Sequence, residues 1–312
     1  MHSFIVSADT FDVIQAQGPD VVRFLQGQLT CDVATLPANS QIYGACCNNK
    51  GRVIAGFTLV RVEAIYYLCM PRGLGALLID ALRKYLPFYK CELILAATGH
   101  QLLAVAGVHA EQMEKFAGLH TLADGSALAQ DSGWLCKLEG AGARVLWWCN
   151  HSQSDIKTIV NELPAGTLEQ WECLGLLAGH YPLRPADSGV FTPQELNYDQ
   201  NGYISFSKGC YTGQEIVARM HYRGKPKKQL YLVKLAQAVT ADMLDQQHDV
   251  TDRQNQSLGH CRLTRSDGNL HLALIELATD YAGDFGAMRL AQVPVVAGCA
   301  FESKVIKFSH FS

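Results

Sequence analysis

Residues 208–215 read KGCYTGQE, and the thiol at their centre, Cys210, stands apart from the chain's other cysteines. No CxxC surrounds it, and no second cysteine lies within thirty residues on either side. Thr212-Gly213-Gln214-Glu215 fits the S/T-x-x-E capping box, so a helix is predicted to start there, with Thr212 bonding forward and Glu215 reaching back. Ile216, Val217 and Met220 would share one side of that helix, and Gly224 and Pro226 would end it. Cys210 would then sit two residues before a helix N-terminus with Lys208 beside it, and both favour a thiolate. Gly209 and Gly213 permit unusual torsions or close approach by another molecule. Two readings stay open: an accessible, activated cysteine, or a small buried side chain in a tight loop.

A protease-like use of the thiol lacks a partner. His221 is eleven residues on, roughly 15 Å along the same helix at 1.5 Å per residue, whereas Cys–His catalysis needs hydrogen-bond contact. His180 could approach only through the fold. The basic cluster Arg219, Arg223, Lys225, Lys227 and Lys228 reads either as a solvated helix C-terminus or as a patch for an anionic partner such as RNA.

The elements around this segment are legible in outline. Residues 3–17 alternate and read as a strand. "GPDVVRFLQGQL" opens a helix with Pro19 at its start and Val22, Leu25 and Leu29 on one face. Residues 41–70 read as extended, with a hairpin turn at "NNKG". "LGALLIDALRKYLPF" is helical until Pro87. Extended stretches are expected at 92–97 and 101–107, and a short helix at 109–117. "ARVLWWCN" reads as a strand and "SDIKTIVNEL" as a helix. "TLEQWECLGLLAGHYP" reads as a helix with Leu168, Trp171, Leu174 and Ala178 in register, capped by Gly179. Residues 183–207 read as loop. After Arg223 only short strand-like runs remain, predicting a small all-β unit from about Lys228. The fold class is therefore α+β.

The 312 residues are 48% apolar and 18% charged, which suits an ordinary globular chain rather than a disordered one. A net charge of −3 excludes a general nucleic-acid coat. Eleven cysteines cannot all pair, and most lie in apolar runs as small hydrophobes. Cys46 and Cys47 are adjacent and read as structural. No spacing resembles a metal-ligand set, and no G-x-G-x-x-G or P-loop occurs. The N-terminus lacks the marks of a signal or transit peptide, and no run of about 18 apolar residues exists, so a cytoplasmic protein is expected.

"ISFSKGCYTGQEIVARMHYRGKPKK" resembles the signature of the YgfZ family, the folate-binding, GcvT-like proteins of iron–sulfur cluster maintenance. Lys208, Gly209, Cys210, Tyr211, Gly213, Gln214 and Glu215 match its motif. "GPDVVRFLQGQLTCDV", "NNKGRV" and "TPQELNYDQNGYISF" are similar to further family segments, so the likeness spans most of residues 5–230. It implies a three-lobed ring: two intertwined α/β lobes over 1–227 and a small antiparallel β-barrel over 228–312. It implies tetrahydrofolate, or another reduced folate, in a central channel. The family's aromatic positions fall on Phe11 and Trp171, where core packing is the alternative role. Phe11 stands where the family commonly has tryptophan. A phenyl ring can still stack but lacks the indole N–H.

The resemblance further implies a monomeric factor for assembly or repair of iron–sulfur clusters in client enzymes, such as those that thiomethylate tRNA, with Cys210 as the working thiol and no resident metal. The alternative is a tetrahydrofolate-dependent aminomethyltransferase or demethylase. Aligned with that transferase's turn, "NKGRVIAGF" puts Ala55 and Gly56 where its acids stand, and neither can hold a proton. An RNA-binding module using residues 219–228 is a third class, opposed by the negative net charge and the lack of an RNA motif.

Overall fold

The structure is a computed structural model that describes residues 3–95, 100–107, 122–131, 133–139, 144–150, 163–224, 227–240, 243, 249–268, 270–279, 281 and 283–301. Two five-stranded antiparallel sheets and a closed barrel make up the architecture, the fold class expected from the sequence. The first sheet has the order β3-β4-β5-β2-β6, with β2 Phe11–Gln17, β3 Ser40–Cys47, β4 Val53–Val62, β5 Ile65–Pro71 and β6 Glu92–Leu95. The second has the order β1-β7-β10-β9-β8, with β1 Phe4–Val6, β7 His100–Ala106, β8 Ala127–Gln130, β9 Gly133–Lys137 and β10 Arg144–Asn150.

β4 shows why its sequence is apolar at nearly every position. Its side chains alternate between two faces. Val53, Ala55, Phe57 and Leu59 point into a core with helices α1 (Val21–Gln28) and α2 (Leu74–Arg83), whereas Val60 and Val62 point to the second sheet. β5 does the same, with Tyr66, Leu68 and Met70 on one side and Tyr67 and Cys69 on the other. The second sheet meets them with Leu102, Ala104, Trp134, Cys136, Leu146 and Trp148.

The single strand predicted over 3–17 is two strands in different sheets. A short 3-10 turn at Ala8–Thr10 separates them, closed by the Thr10 hydroxyl donating to the Ser7 carbonyl at 2.7 Å. The N-terminus thereby stitches the two sheets together, which alternation alone could not show. The predicted helices at 109–117 and 154–163 lie outside the described residues, save for Leu163 at the end of the second.

The barrel closes in the order β11-β14-β13-β12-β15-β16, from β11 Lys228–Leu235, β12 Asp249–Thr251, β13 Ser257–Asp267, β14 Leu270–Ala278, β15 Arg289–Leu290 and β16 Val293–Ala300. Tyr231, Val233, Ala273 and Ile275 fill its interior, while Leu230, Leu232, Leu272 and Leu274 pack outward into the core of the first sheet. Asn197 fastens this junction. Its amide donates to the carbonyls of Leu230 and Phe301, and its side-chain oxygen accepts from Leu230 N–H. Helix α3 (Leu168–Leu177) lies between the sheets and the barrel, tied to β13 by Glu172–Arg265 and Gln170–Asp267.

Candidate functional site

The KGC segment is folded against the end of α1, and its lysine has a different role from the one its sequence position predicts. Lys208 is buried, and its Nζ donates to the carbonyls of Gln26 (2.7 Å), Leu29 (2.7 Å) and Cys31 (2.9 Å). The first two belong to the end of α1 and its cap, the partially negative end of the helix, and the third lies two residues past the cap. Burial pulls the amine down to about 8, against the pull of Cys31 and Asp32 in the other direction. The ammonium therefore serves the loop's anchorage. Cys210 is the exposed one of the eleven cysteines, with Cys91 and Cys299 partly buried and the rest buried.

The predicted capping box at Thr212 does not form. Helix α4 is Gln214–Arg223, and its N-cap is Gly213 in the left-handed region (φ 83°) with no side-chain cap. Gly213 lies so close to the β3–β4 turn that a Cβ would strike the Asn48 carbonyl, and at Gly51 (φ 68°) a Cβ would strike Ile216. This close approach fixes the helix start one residue later than the box requires. The Thr212 hydroxyl instead donates to Gln28 (3.0 Å), and Gln214 accepts from Tyr211 N–H (3.3 Å). Glu215 is exposed in the first turn. Tyr211 is buried under the Lys208 ammonium, 5.2 Å from the ring centre. A Cβ at Gly209 would meet open space, so that glycine is not required by close approach. His221 stacks on Phe206 at 3.7 Å, and His180 lies in a separate cleft, so neither acts as a hydrogen-bonded base for Cys210.

That cleft brings Phe11 and Trp171 together. It opens between the sheets and α3, has a cavity volume of about 110 Å³, and is lined by Phe11, Tyr43, Gly56, Arg144, Trp171 and His180, among mainly apolar neighbours. Local chemistry aims each aromatic. Phe11 begins β2, whose next residue, Asp12, accepts from Gly73 N–H (2.8 Å) and Gly75 N–H (2.9 Å) at the uncapped start of α2. Trp171 lies one turn into α3, whose N-terminus carries a complete capping box between Thr167 and Gln170. The two rings meet edge to face at 6.4 Å. Neither Lys208 nor Cys210 lines this cleft, so the motif and the aromatic pair are separate places.

Arg144 is the residue that sequence reasoning missed. It is 2% exposed, its guanidinium lies 5.7 Å from the Trp171 ring centre, and one Nη donates to the Glu139 carbonyl at 2.8 Å. Its Nε has no partner, and no carboxylate among the described residues forms a salt bridge with it. A buried cation without a counter-charge is costly unless a ligand completes it. The signal was a lone arginine opening the apolar run RVLWWC. Glu172, the cleft's acid, is already committed to Arg265. Burial raises its carboxyl even so.

His180 forms the floor of the cleft. Its ring lies 3.9 Å from that of Tyr43, and its Nδ1 is 3.3 Å from the Tyr203 hydroxyl. Burial, reinforced by the Arg144 charge, pushes its pKa well below the usual range, so it is neutral at pH 7. Tyr203 stacks on Tyr198 at 4.0 Å with planes 3° apart. The Tyr198 hydroxyl, donating to the Tyr181 carbonyl at 3.3 Å, fills the space where a Cβ at Gly56 would stand. Ala55 is fully buried on the opposite face of β4. The two positions aligned with transferase acids thus face a packed core and a tyrosine hydroxyl.

Residues 2–146 match the GCVT N-terminal domain family. The chain is 34% identical over 233 residues to the tRNA-modifying protein YgfZ of Yersinia enterocolitica, covering 73% of this chain and 69% of that one. It is 33% identical over 230 residues to the YgfZ of Photorhabdus laumondii, with the same coverage. In fold it is similar to the glycine cleavage system aminomethyltransferase T of Bartonella henselae, with a TM-score of 0.72 and 16% identity over 97% of this chain and 87% of that one. With the GcvT-like fold and about a third of the aligned residues identical over 73% of this chain and 69% of its relatives, the protein belongs to the YgfZ family.

Proposed function

We propose that the chain is a folate-binding factor that acts in tRNA modification, supporting iron–sulfur enzymes such as those that thiomethylate tRNA. The observation that carries the folate part is Arg144: a buried guanidinium with a free Nε, set beside two aromatic rings in an otherwise apolar cleft. A reduced folate offers what this surface lacks, a flat ring system for Phe11 and Trp171 and acceptor atoms for the guanidinium. When bound, a reduced folate supplies a carrier for one-carbon groups. The tRNA part rests on the names of the YgfZ relatives.

Cys210 is the proposed working thiol, exposed on a loop that Lys208 and Gly213 hold in place. Two further motif residues support the loop: Tyr211 is buried under the Lys208 ammonium, and Gln214 closes the turn. The transferase alternative has the fold likeness in its favour, but Tyr198 occupies the space an acid at position 56 would need. The test is complementation of a cell lacking its own YgfZ, with iron–sulfur enzyme activity and thiomethylated tRNA as readouts. Wild type should restore both, and Cys210→Ser should restore neither while keeping its melting temperature. Equal rescue by Cys210→Ser would refute the role assigned to the thiol.

A further inference from the structure

Helix α2 runs out into RKYLPFYK, residues 83–90: three cations, three aromatic rings and no acid. Two tight turns hold this segment. The Tyr85 N–H donates to the Leu82 carbonyl at 2.9 Å, and a 3-10 turn over Leu86–Phe88 follows, stiffened by Pro87. Lys90 then ties the segment to the start of α1. Its N–H donates to the Asp20 carboxylate at 2.8 Å, and its carbonyl accepts from the Asp20 N–H.

The three rings have different positions. Tyr85 and Tyr89 are half-buried and pack against the core of the first sheet. Phe88 is 78% exposed, the most exposed of the large apolar side chains among the described residues. It does not stand alone in water. Lys84 Nζ lies 4.8 Å from the centre of the Tyr85 ring, and the Arg23 guanidinium of α1 lies 5.5 Å from that of Tyr89. Arg23, Lys84 and Lys90 are exposed, and none of them forms a salt bridge among the described residues. The fold therefore presents a free ring on a stiff turn, with a cation on each side of it in the chain and a third brought alongside by α1.

Cations alone would suit any acidic surface. A free ring held among them suits a partner that alternates negative charge with flat rings, and a single-stranded nucleic acid does so. A bilayer would call for a wider apolar face than one ring. We propose that this turn docks single-stranded RNA, with a base stacked on Phe88 and phosphates at Arg23, Lys84 and Lys90. The choice of RNA rests on the tRNA reading above. The net charge of −3 opposes RNA binding by the chain as a whole, not at a local excess of cations. The cluster at 219–228 is the weaker candidate, because Lys228 is paired with Glu276 at 3.3 Å. Helix α1, about 12 Å long, carries Arg23 toward one end and bonds Thr212 of the Cys210 loop at the other, so the docking turn and the thiol flank the same helix.

The full-length protein can be titrated into fluorescein-labelled oligoadenylate RNA and followed by anisotropy. Inorganic polyphosphate and phosphatidylserine–phosphatidylcholine vesicles serve as comparison arms. At about 50 mM salt binding should saturate, and it should weaken steeply as salt rises. Phe88→Ala should weaken it about tenfold with its salt dependence unchanged, the loss of one stacked base. Lys90→Gln should flatten the slope of log affinity against log salt by about 0.7, the loss of one phosphate contact, and stays readable should Phe88→Ala misfold. No saturable binding, an affinity unmoved by Phe88→Ala, or a salt slope unmoved by Lys90→Gln would overturn the proposal. So would displacement of the RNA by polyphosphate at equal phosphate concentration, or binding to the vesicles and not to RNA. Wild type that restores thiomethylated tRNA in cells yet binds no RNA would refute this docking turn and leave the tRNA reading standing.

Discussion

The cleft and the KGC loop each bury a cation and leave it in opposite states. In the cleft, the Arg144 guanidinium stands among aromatic rings with an N–H left over. In the loop, the Lys208 ammonium donates to three carbonyls at the end of α1 and just beyond it. The His180 imidazole in the cleft is held neutral by burial and by Arg144, so it adds no charge there. A satisfied buried cation anchors its loop, whereas an unsatisfied one calls for a partner.

Placing a carboxylate in the cleft would break this division most severely. Gly56→Asp restores an acid near the transferase position, but its Cβ meets the Tyr198 hydroxyl. Overpacking and a buried charge together should destabilise the protein by about 4 kcal/mol. Urea denaturation measures this, and a variant as stable as wild type would show that the position is not sealed. Arg144→Met sharpens the comparison. Removing a buried charge that lacks a counter-ion should leave the apo melting temperature unchanged or raised. Folate binding should weaken by about 2 kcal/mol. A destabilised variant with normal folate affinity would instead make Arg144 a scaffold residue.

The cleft has a pH signature in His180. Its folded pKa lies well below the ordinary 6.5, so below that value the unfolded chain takes up a proton that the folded chain refuses. Stability from this group is present above that ordinary value and declines as pH falls below it. His180→Gln should flatten that part of the stability–pH curve, and an unchanged slope would mean the ring is charged when folded. The smallest structural effect is expected at Cys210. Being exposed, Cys210→Ser should shift stability by less than about 0.5 kcal/mol. In the native protein Cys210 should be the fastest-alkylating of the eleven thiols, which mass spectrometry can rank; protection until unfolding would contradict this.

What the sequence disclosed followed from local pattern. The hairpin at 48–51, the helices of residues 74–83 and 168–177, and the β texture after residue 228 appear where period and turn chemistry put them, whereas the first helix starts at Val21, two residues after Pro19, and exposes Val22 instead of burying it. What it withheld depended on distant partners. Thr167–Gln170 and Thr212–Glu215 carry equivalent capping patterns, but the second is overridden by the contact of Gly213 with Asn48, far away in sequence. Lys208 adjoins Cys210 in the chain, yet its amine turns toward carbonyls nearly 180 residues earlier. Phe11 and Trp171 were named through family resemblance, and their meeting in one cleft needed three dimensions. Arg144 stands out in the sequence as a lone arginine opening an apolar run, but its missing partner is visible only once every neighbour is placed.

The account stands or falls on the aromatic cleft, and calorimetric titration with tetrahydrofolate tests it most directly. Wild type should bind at one site per chain, and Trp171→Ala should bind at least about tenfold more weakly while remaining folded, through loss of one stacked ring. If wild type shows no saturable heat, or Trp171→Ala binds as well as wild type, the cleft does not hold folate in the way its geometry indicates.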